Sequence, residues 1–224
     1  VCMNQFYVQA KELQEKGKFK FALQLCEIVD GTKFEVEEWR VNNIHMEYGY
    51  DLFAKAEYEK AMMEFNETDS DPRLVLALYG DIFPCNSRNQ QGMIVPDIVQ
   101  KGLKHLEDPE KREKALAALI AYLSCRRIPA QKAAHGDEEA IGEAVDTSLL
   151  YALLLNKDEY IGNLLDIDNR CNIADSEKIL DQCGKYKELV TFYKTKQLHA
   201  KALALLKAHG EQTHPNTNYR ELEG

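Results

Sequence analysis

The chain has 224 residues and a formal net charge of −9. That length is enough to bury a substantial core, as one long domain or as two smaller ones. The negative charge argues against a nucleic-acid-binding protein, because phosphate contacts rely on clustered lysine and arginine. No apolar segment approaches the roughly 18 residues that a membrane-spanning helix needs. We therefore expect no nucleic-acid partner and no direct membrane insertion.

The six cysteines lie far apart and form no CxxC pair, whereas zinc sites ordinarily place ligands two to four residues apart. They are Cys2, Cys26, Cys85, Cys125, Cys171 and Cys183. We expect free thiols in a reducing cytosol, most of them within or beside apolar helical patterns. Because the sequence does not begin with methionine, we also expect a piece of a longer protein.

Residues 1–83 show helical rather than alternating apolar periodicity. Near the end of this segment, Asp71 can accept hydrogen bonds from backbone N–H groups two or three residues further on, and Pro72 suits the first helical position. Leu74, Val75 and Leu78 then fall on one face. The run predicts a short, mostly buried helix that separates helical segments.

The remaining sequence divides into parts of different composition. We predict a loop at 84–97, linking helices at 98–126, a mobile insertion at 127–145, a second helical segment at 146–209 and a frayed tail at 210–224. Asp108 and Pro109 introduce the apolar stripe of the linking helices. Asp146 is the expected N-cap of a leucine-rich helix around Leu150. No stretch shows the period-two alternation of a strand, so the predicted fold class is all-α.

One pattern recurs along the chain. "LQEKGKFKFALQLC" at 13–26 aligns with "LFAKAEYEKAMMEF" at 52–65 after a shift of 39 residues, and "YKTKQLHAKALALL" at 193–206 is a third copy. A fainter fourth copy surrounds Gly184. The expected packing residues in these copies are Leu13, Phe19, Ala22, Leu23, Leu52, Tyr58, Ala61, Met62, Tyr186, Leu189, Tyr193, Ala202 and Leu203.

Helix packing explains this pattern. The first helix ends at a lysine in most copies, a tight connection follows, and an aromatic or leucine side chain fills the corner. A small alanine then lets the second helix approach the first closely. Such hairpins cannot bury their apolar face alone, so we predict an α-solenoid of stacked helical hairpins at 1–83 and 146–209. A generic antiparallel bundle that repeats by chance remains the alternative.

No catalytic motif stands out. The six histidines form no HExxH, and the sequence contains no GxSxG, phosphate-binding glycine loop or dinucleotide fingerprint. Asp166 and Asp168 resemble part of a calcium loop, but the required glycine and terminal glutamate are missing. We expect no enzyme, cofactor or metal. Trp39, the only tryptophan, is either a packing anchor or an exposed contact for a partner, and Tyr160 is a second candidate for partner binding.

Residues 145–206 resemble the vacuolar protein sorting-associated protein 39 family, also called Vam6/Vps39-like proteins. The positions that carry this resemblance include Asp146, Thr147, Leu149, Leu150, Asn169, Cys171, Glu177, Leu180, Tyr186, Glu188, Leu189, Tyr193, Lys196, Leu198, His199, Lys201, Ala202 and Leu203. The earlier stretch is similar as well, through Asp71, Pro72, Val75, Leu78, Tyr79, Asp81, Phe83 and Pro84. It departs at Gly80, where the family usually has proline.

The resemblance implies the early and middle part of a solenoid similar to clathrin heavy chain repeats. It implies a non-catalytic scaffold or interaction segment of a HOPS tethering subunit in late endosome–lysosome or vacuole fusion. Expected partners are other HOPS subunits, a late-endosomal Rab GTPase acting through other parts of the protein, and a mitochondrial outer-membrane protein. The expected location is cytoplasmic, peripheral on the cytosolic face of these organelles. The alternatives are the CORVET paralogue of the TGF-β receptor-associated protein family and a generic helical-repeat module that binds peptides.

Overall fold

The computed structural model describes residues 2–30, 38–79, 104–132, 137–156 and 160–213. All regular structure in these ranges is helical, which confirms the all-α prediction. The eleven α-helices described are α1 (Cys2–Glu15), α2 (Phe19–Asp30), α3 (Glu38–Ala54), α4 (Tyr58–Asn66), α5 (Pro72–Leu76), α6 (Pro109–Lys132), α7 (Asp137–Leu155), α8 (Ile161–Asp166), α9 (Ile173–Gln182), α10 (Tyr186–Thr195) and α11 (His199–Thr213). Short 3₁₀ helices follow α5 at Ala77–Tyr79 and precede α6 at Lys104–Glu107.

The helices pack mainly on their neighbours in the chain. α1 pairs with α2, α2 with α3, α3 with α4 and α6 with α7, and α9, α10 and α11 follow one another. α4 contacts α6 across the intervening segment, and α8 contacts α10. This succession of neighbouring hairpins is the α-solenoid that the sequence predicted.

Four of the corners between helices have the same backbone geometry. The second residue after the end of each first helix has a positive φ: 69° at Gly17, 61° at Ala56, 65° at Gly184 and 59° at Gln197. The next N–H bonds to a carbonyl five residues earlier, as from Lys18 to Leu13 at 2.8 Å and from Leu198 to Tyr193 at 2.8 Å. These two features define a Schellman motif, which satisfies carbonyls at the helix end and reverses the chain.

The repeated pattern places most of the expected packing residues inside. Phe19, Ala22, Leu52, Tyr58, Ala61, Met62, Leu189, Tyr193 and Ala202 are buried, while Leu13 and Leu23 are half-buried. Two expectations fail: Leu203 is 68% exposed and Tyr186 is 38% exposed. Both positions match residues that a following helix covers elsewhere, as α3 covers α2 through the stacked rings of Phe19 and Tyr48, whose centroids lie 5.4 Å apart.

The two Asp-Pro pairs begin helices as predicted. Asp71 Oδ1 accepts a hydrogen bond of 2.8 Å from the N–H of Arg73, with Pro72 in the first position of α5. Asp108 Oδ1 accepts one of 3.1 Å from the N–H of Glu110 at the start of α6. Both pairs therefore separate helical segments.

The predicted mobile insertion at 127–145 differs from the structure. Residues 127–132 complete α6 and 137–145 begin α7. The five alanines and three glutamates of this stretch favour helix even without an apolar stripe. The predicted loop at 84–97 and residues 214–224 of the predicted tail lie outside the described residues, whereas 210–213 belong to α11.

Candidate functional site

A buried carboxylate joins two helices to the connection between α8 and α9. Asp146 is 1% exposed and lies within α7, so its prediction as an N-cap was wrong. Its Oδ1 accepts a hydrogen bond of 2.8 Å from Nε of Arg127 in α6, and its Oδ2 accepts one of 2.7 Å from the N–H of Arg170. Arg127 also donates to the carbonyl of Asp168 at 2.9 Å. We call Asp146, Arg127 and residues 168–172 the polar hub.

The neighbouring side chains extend the polar hub to α7 and α9. Thr147 Oγ1 accepts a hydrogen bond of 2.9 Å from the N–H of Asn172. Asn172 caps α9 by accepting from the N–H of Asp175 at 3.1 Å, and it donates to Glu143 at 3.1 Å. The connection between α8 and α9 is thus hydrogen-bonded to both α7 and α9.

A third anchor comes from the end of α10. Nζ of Lys196 donates to the carbonyl of Asn169 at 2.5 Å, and the Asn169 side chain bonds to the backbone of Ile167 and Cys171. Thr195 Oγ1 donates to the carbonyl of Leu165 at 2.7 Å. Because α6, α7, α9 and α10 all converge here, the polar hub fixes the angle at which the later hairpins leave α6 and α7.

The chemistry of this region is structural. Burial raises the pKa of the Cys171 thiol to about 12, so the thiol stays protonated and unreactive near neutral pH. Burial also raises the pKa of Tyr50 and of Tyr122 to about 12. Within the described ranges, no group of three His, Cys, Asp or Glu side chains is placed to hold a metal ion. The same residues include no helix both long enough and apolar enough to cross a membrane.

The two candidate partner-binding residues are exposed and lie on different elements. Trp39, 60% exposed, is in the first turn of α3, where the Arg40 guanidinium lies 4.6 Å from its ring centroid and 4.1 Å from that of Tyr7. Tyr160, 68% exposed, precedes α8. Nothing in these contacts joins them into one site, so each remains a separate prediction.

Sequence reasoning missed an apolar surface on the first hairpin. Val8 of α1 and Phe21 and Ile28 of α2 are all more than half exposed. The repeat alignment contained a sign of this surface, because after the shift of 39 residues each of these three apolar residues aligns with a charged residue.

The described helices form an α-solenoid, and the polar hub holds α6, α7, α9 and α10 together. Residues 145–223, which include most of the hub, match the family model described as vacuolar sorting protein 39 domain 1. The chain is thus related to the Vam6/Vps39-like proteins, which confirms the resemblance seen in the sequence.

Relatives extend this match to most of the chain. It is 30% identical to the vacuolar protein sorting-associated protein 39 homolog of Drosophila melanogaster over 92% of this chain and 23% of that protein. It is 29% identical to the human Vam6/Vps39-like protein over 88% of this chain and 24% of that protein. It is 22% identical to vacuolar morphogenesis protein 6 of Schizosaccharomyces pombe over 90% of this chain and 27% of that protein. The chain spans about a quarter of the length of these relatives. No solved structure matches it significantly.

The polar hub gives the resemblance a physical reason. Asp146, Asn169 and Cys171, three of the positions on which the resemblance was recognised in the sequence, lie in it, and Thr147, a fourth, bonds to it. A second pair in the pattern bridges α9 and α11, where Nζ of Lys201 donates to Glu177 at 2.5 Å. These positions of the sequence pattern thus hold the helices in their arrangement.

Proposed function

We propose that this chain is a non-catalytic scaffold segment of a HOPS-type tethering subunit, acting in late endosome–lysosome or vacuole fusion and in vesicle-mediated protein transport. The names of the relatives, which refer to vacuolar sorting and vacuolar morphogenesis, support this role. The observation that carries the proposal is the polar hub, because the residues similar to that family are the ones that fix the helices.

In such a role the segment sets the reach and stiffness of the tether. Helices that contact only their neighbours bend gradually along a solenoid. A joint whose buried carboxylate binds Arg127 and the backbone of Arg170 resists bending, because any change in angle would leave buried polar groups unpaired. The polar hub would therefore act as the stiff point of the segment.

The proposed partners are other HOPS subunits, with a late-endosomal Rab GTPase and a mitochondrial outer-membrane protein engaged by the longer protein. The proposed location is peripheral, on the cytosolic face of late endosomes, lysosomes or the vacuole. The relatives' names support only the vacuolar part of this proposal, and partner recovery tests the rest.

The test uses the longer polypeptide that contains this chain, expressed in cells from which its own copy has been deleted. Asp146→Asn removes one charge from the polar hub, and Glu110→Gln is the control, since the Glu110–Lys114 pair lies on the surface of α6. We expect Asp146→Asn to slow organelle fusion at normal protein abundance, whereas Glu110→Gln leaves fusion unchanged. The scaffold role would be contradicted if fusion stayed normal at a temperature where the Asp146→Asn protein unfolds measurably more easily than the wild type. Dependence on early-endosomal subunits would instead favour the CORVET paralogue.

A further inference from the structure

The first hairpin carries an apolar surface that the fold itself does not require. Val8, Phe21 and Ile28 are 52%, 61% and 67% exposed, and a groove of about 570 Å³ runs between α1 and α2 beside Phe21, Leu25 and Ile28. We call Phe21, Leu25 and Ile28, which line the groove, together with Val8 of α1, which lies outside its lining, the first-hairpin face. Exposed apolar side chains gathered in one groove indicate an interaction surface, whereas single ones do not.

The second hairpin provides an internal control for this surface. A shift of 39 residues aligns Val8 with Glu47, Phe21 with Lys60, Leu25 with Glu64 and Ile28 with Glu67. Glu47 on α3, Lys60 on α4 and Glu67 at the C-cap of α4 are exposed, so a hairpin of this register folds with charged side chains at these three positions. The exposed apolar residues Val8, Phe21 and Ile28 are therefore not needed for the packing of the hairpin, whereas the half-buried Leu25 also packs on its core.

The spacing of the first-hairpin face suits a helical partner. Phe21, Leu25 and Ile28 lie at i, i+4 and i+7 on α2 and form a stripe about 10 Å long. The opposite side of α2, with Phe19, Ala22 and Cys26, is buried with Ile44 of α3. A straight apolar stripe beside a groove between two helices is the geometry in which an amphipathic helix docks.

Positive charge at one end of the groove favours a partner helix whose last turn is acidic. Lys16, Lys18 and Lys20 are exposed around the corner between α1 and α2. The corresponding positions of the second corner are Lys55, Glu57 and Glu59, so the first corner carries more positive charge than the second. The corner at Gly184 repeats two of these lysines, as Lys185 and Lys187. Lys16 has one carboxylate nearby, that of Glu12 at 3.7 Å, and this exposed pair is weak. The carboxyl end of a helix and acidic residues in its last turn complement such a cluster.

We propose that the first-hairpin face binds an amphipathic helix of another polypeptide, with an apolar stripe on Phe21, Leu25 and Ile28 and an acidic last turn beside Lys16 and Lys18. This surface is independent of the tethering role and of the polar hub. The segment would then bind a partner in addition to setting the reach of the tether.

The test measures fluorescence anisotropy of three labelled peptides of about 18 residues, long enough to form several helical turns. The first has leucines at i, i+4 and i+7 and glutamates in its last turn. The second replaces those glutamates with lysines, and the third has its leucines scrambled. With the full 224-residue chain we expect saturable binding of the first peptide, binding weaker by about tenfold for the second, and none for the third.

The decisive variant is V8E/F21K/I28E, which installs the residues of the second hairpin. Because that hairpin folds with them, helicity and Tm should stay unchanged, while affinity for the first peptide should fall by at least about tenfold. Met63→Lys, which changes an exposed apolar residue of α4 outside the face, should leave affinity unchanged. Equal affinity of the triple variant and the wild type, or no saturable binding at all, would overturn the proposal.

Other occupants have their own signatures, and each would overturn it. A dimer in light scattering that dissociates in V8E/F21K/I28E would assign the face to a second copy. Sedimentation with phosphatidylserine vesicles that depends on Phe21 would assign it to lipid. Loss of peptide binding in the longer natural polypeptide would show that its own helices already cover the face. We expect a monomer, no such sedimentation and the same affinity in the longer protein.

Discussion

Asp146 of α7 and Arg127 of α6 form an ion pair of 2.8 Å whose side chains are only 2% and 12% exposed. The second oxygen of Asp146 binds the N–H of Arg170, so one carboxylate holds α6, α7 and the connection to α9. Asp146 is therefore the central one of the side chains that set the helix angle at this point. An exposed ion pair could not set it, because such pairs contribute little.

Asp146→Ala should therefore destabilise the chain strongly. The substitution leaves the buried Arg127 guanidinium without its carboxylate, and removing one partner of such a pair costs about 3–5 kcal/mol. Urea unfolding followed by circular dichroism measures the decrease in the free energy of unfolding. Glu110→Ala, in an exposed pair with Lys114, should leave the midpoint unchanged. Equal midpoints for the two variants would show that the polar hub contributes no stability.

The positive-φ corners predict opposite effects of glycine and alanine. Gln197 pays for a left-handed conformation that glycine adopts freely, so Gln197→Gly should stabilise the corner by about 1 kcal/mol. Gly17→Ala should destabilise by a similar amount, and purely through the backbone, because an added Cβ meets nothing within 4 Å. Thermal unfolding of both variants measures whether Tm rises in Gln197→Gly and falls in Gly17→Ala. A stabilising Gly17→Ala would show that this corner is not left-handed.

Gly49 reports how closely α3 and α4 approach. A Cβ built at Gly49 would lie 2.4 Å from Cε1 of the buried Phe65 ring, so Gly49→Ala should cost about 1–3 kcal/mol through overpacking. Gly162 of α8 is the matched control, because a Cβ there meets nothing within 4 Å. Gly162→Ala should raise Tm slightly through helix propensity. A neutral Gly49→Ala would mean that the two helices lie further apart.

Ala22 and Ala61 test the repeated hairpin directly. Both are fully buried where two helices meet, so Ala22→Asp or Ala61→Asp buries a carboxylate without a partner. We expect loss of helicity and of the cooperative unfolding transition. Ala117→Asp, at an exposed position of α6, should keep both. Full helicity and an unchanged Tm in Ala61→Asp would refute the hairpin assignment.

Cysteine reactivity should follow burial. The pKa of Cys171, raised to about 12, keeps that thiol protonated well above neutral pH, whereas Cys125 and Cys183 are exposed. Since the thiolate is the reactive form, alkylation at pH 8 should modify Cys125 and Cys183 first and Cys171 only after denaturation. Peptide mapping by mass spectrometry measures the order. Early modification of Cys171 in the folded chain would contradict its burial.

The features that sequence predicted well are local ones. The Asp71-Pro72 helix start and the alanines of the repeat each depend on neighbours within one or two helical turns, so residue type and spacing suffice to predict them. The predicted mobile insertion at 127–145 instead contains the end of α6 and the start of α7. Its lack of an apolar stripe suggested mobility, although its composition favours helix.

The role of Asp146 required tertiary structure. Aspartate is a common N-cap, and the sequence offered no sign that Arg127 and the N–H of Arg170, 19 and 24 residues away, converge on it. Likewise, the repeat frame predicted which side of α11 is apolar. It did not predict that Leu203 would stay uncovered in the described part of the chain.

Co-purification tests the central claim most directly. The longer polypeptide that contains this chain is tagged at its own locus, purified under mild conditions and examined by quantitative mass spectrometry, with an untagged strain as the control. We predict that the HOPS tethering subunits co-purify with it in near-stoichiometric amounts. Recovery of the polypeptide without any tethering subunit would contradict its place in a vacuolar tether.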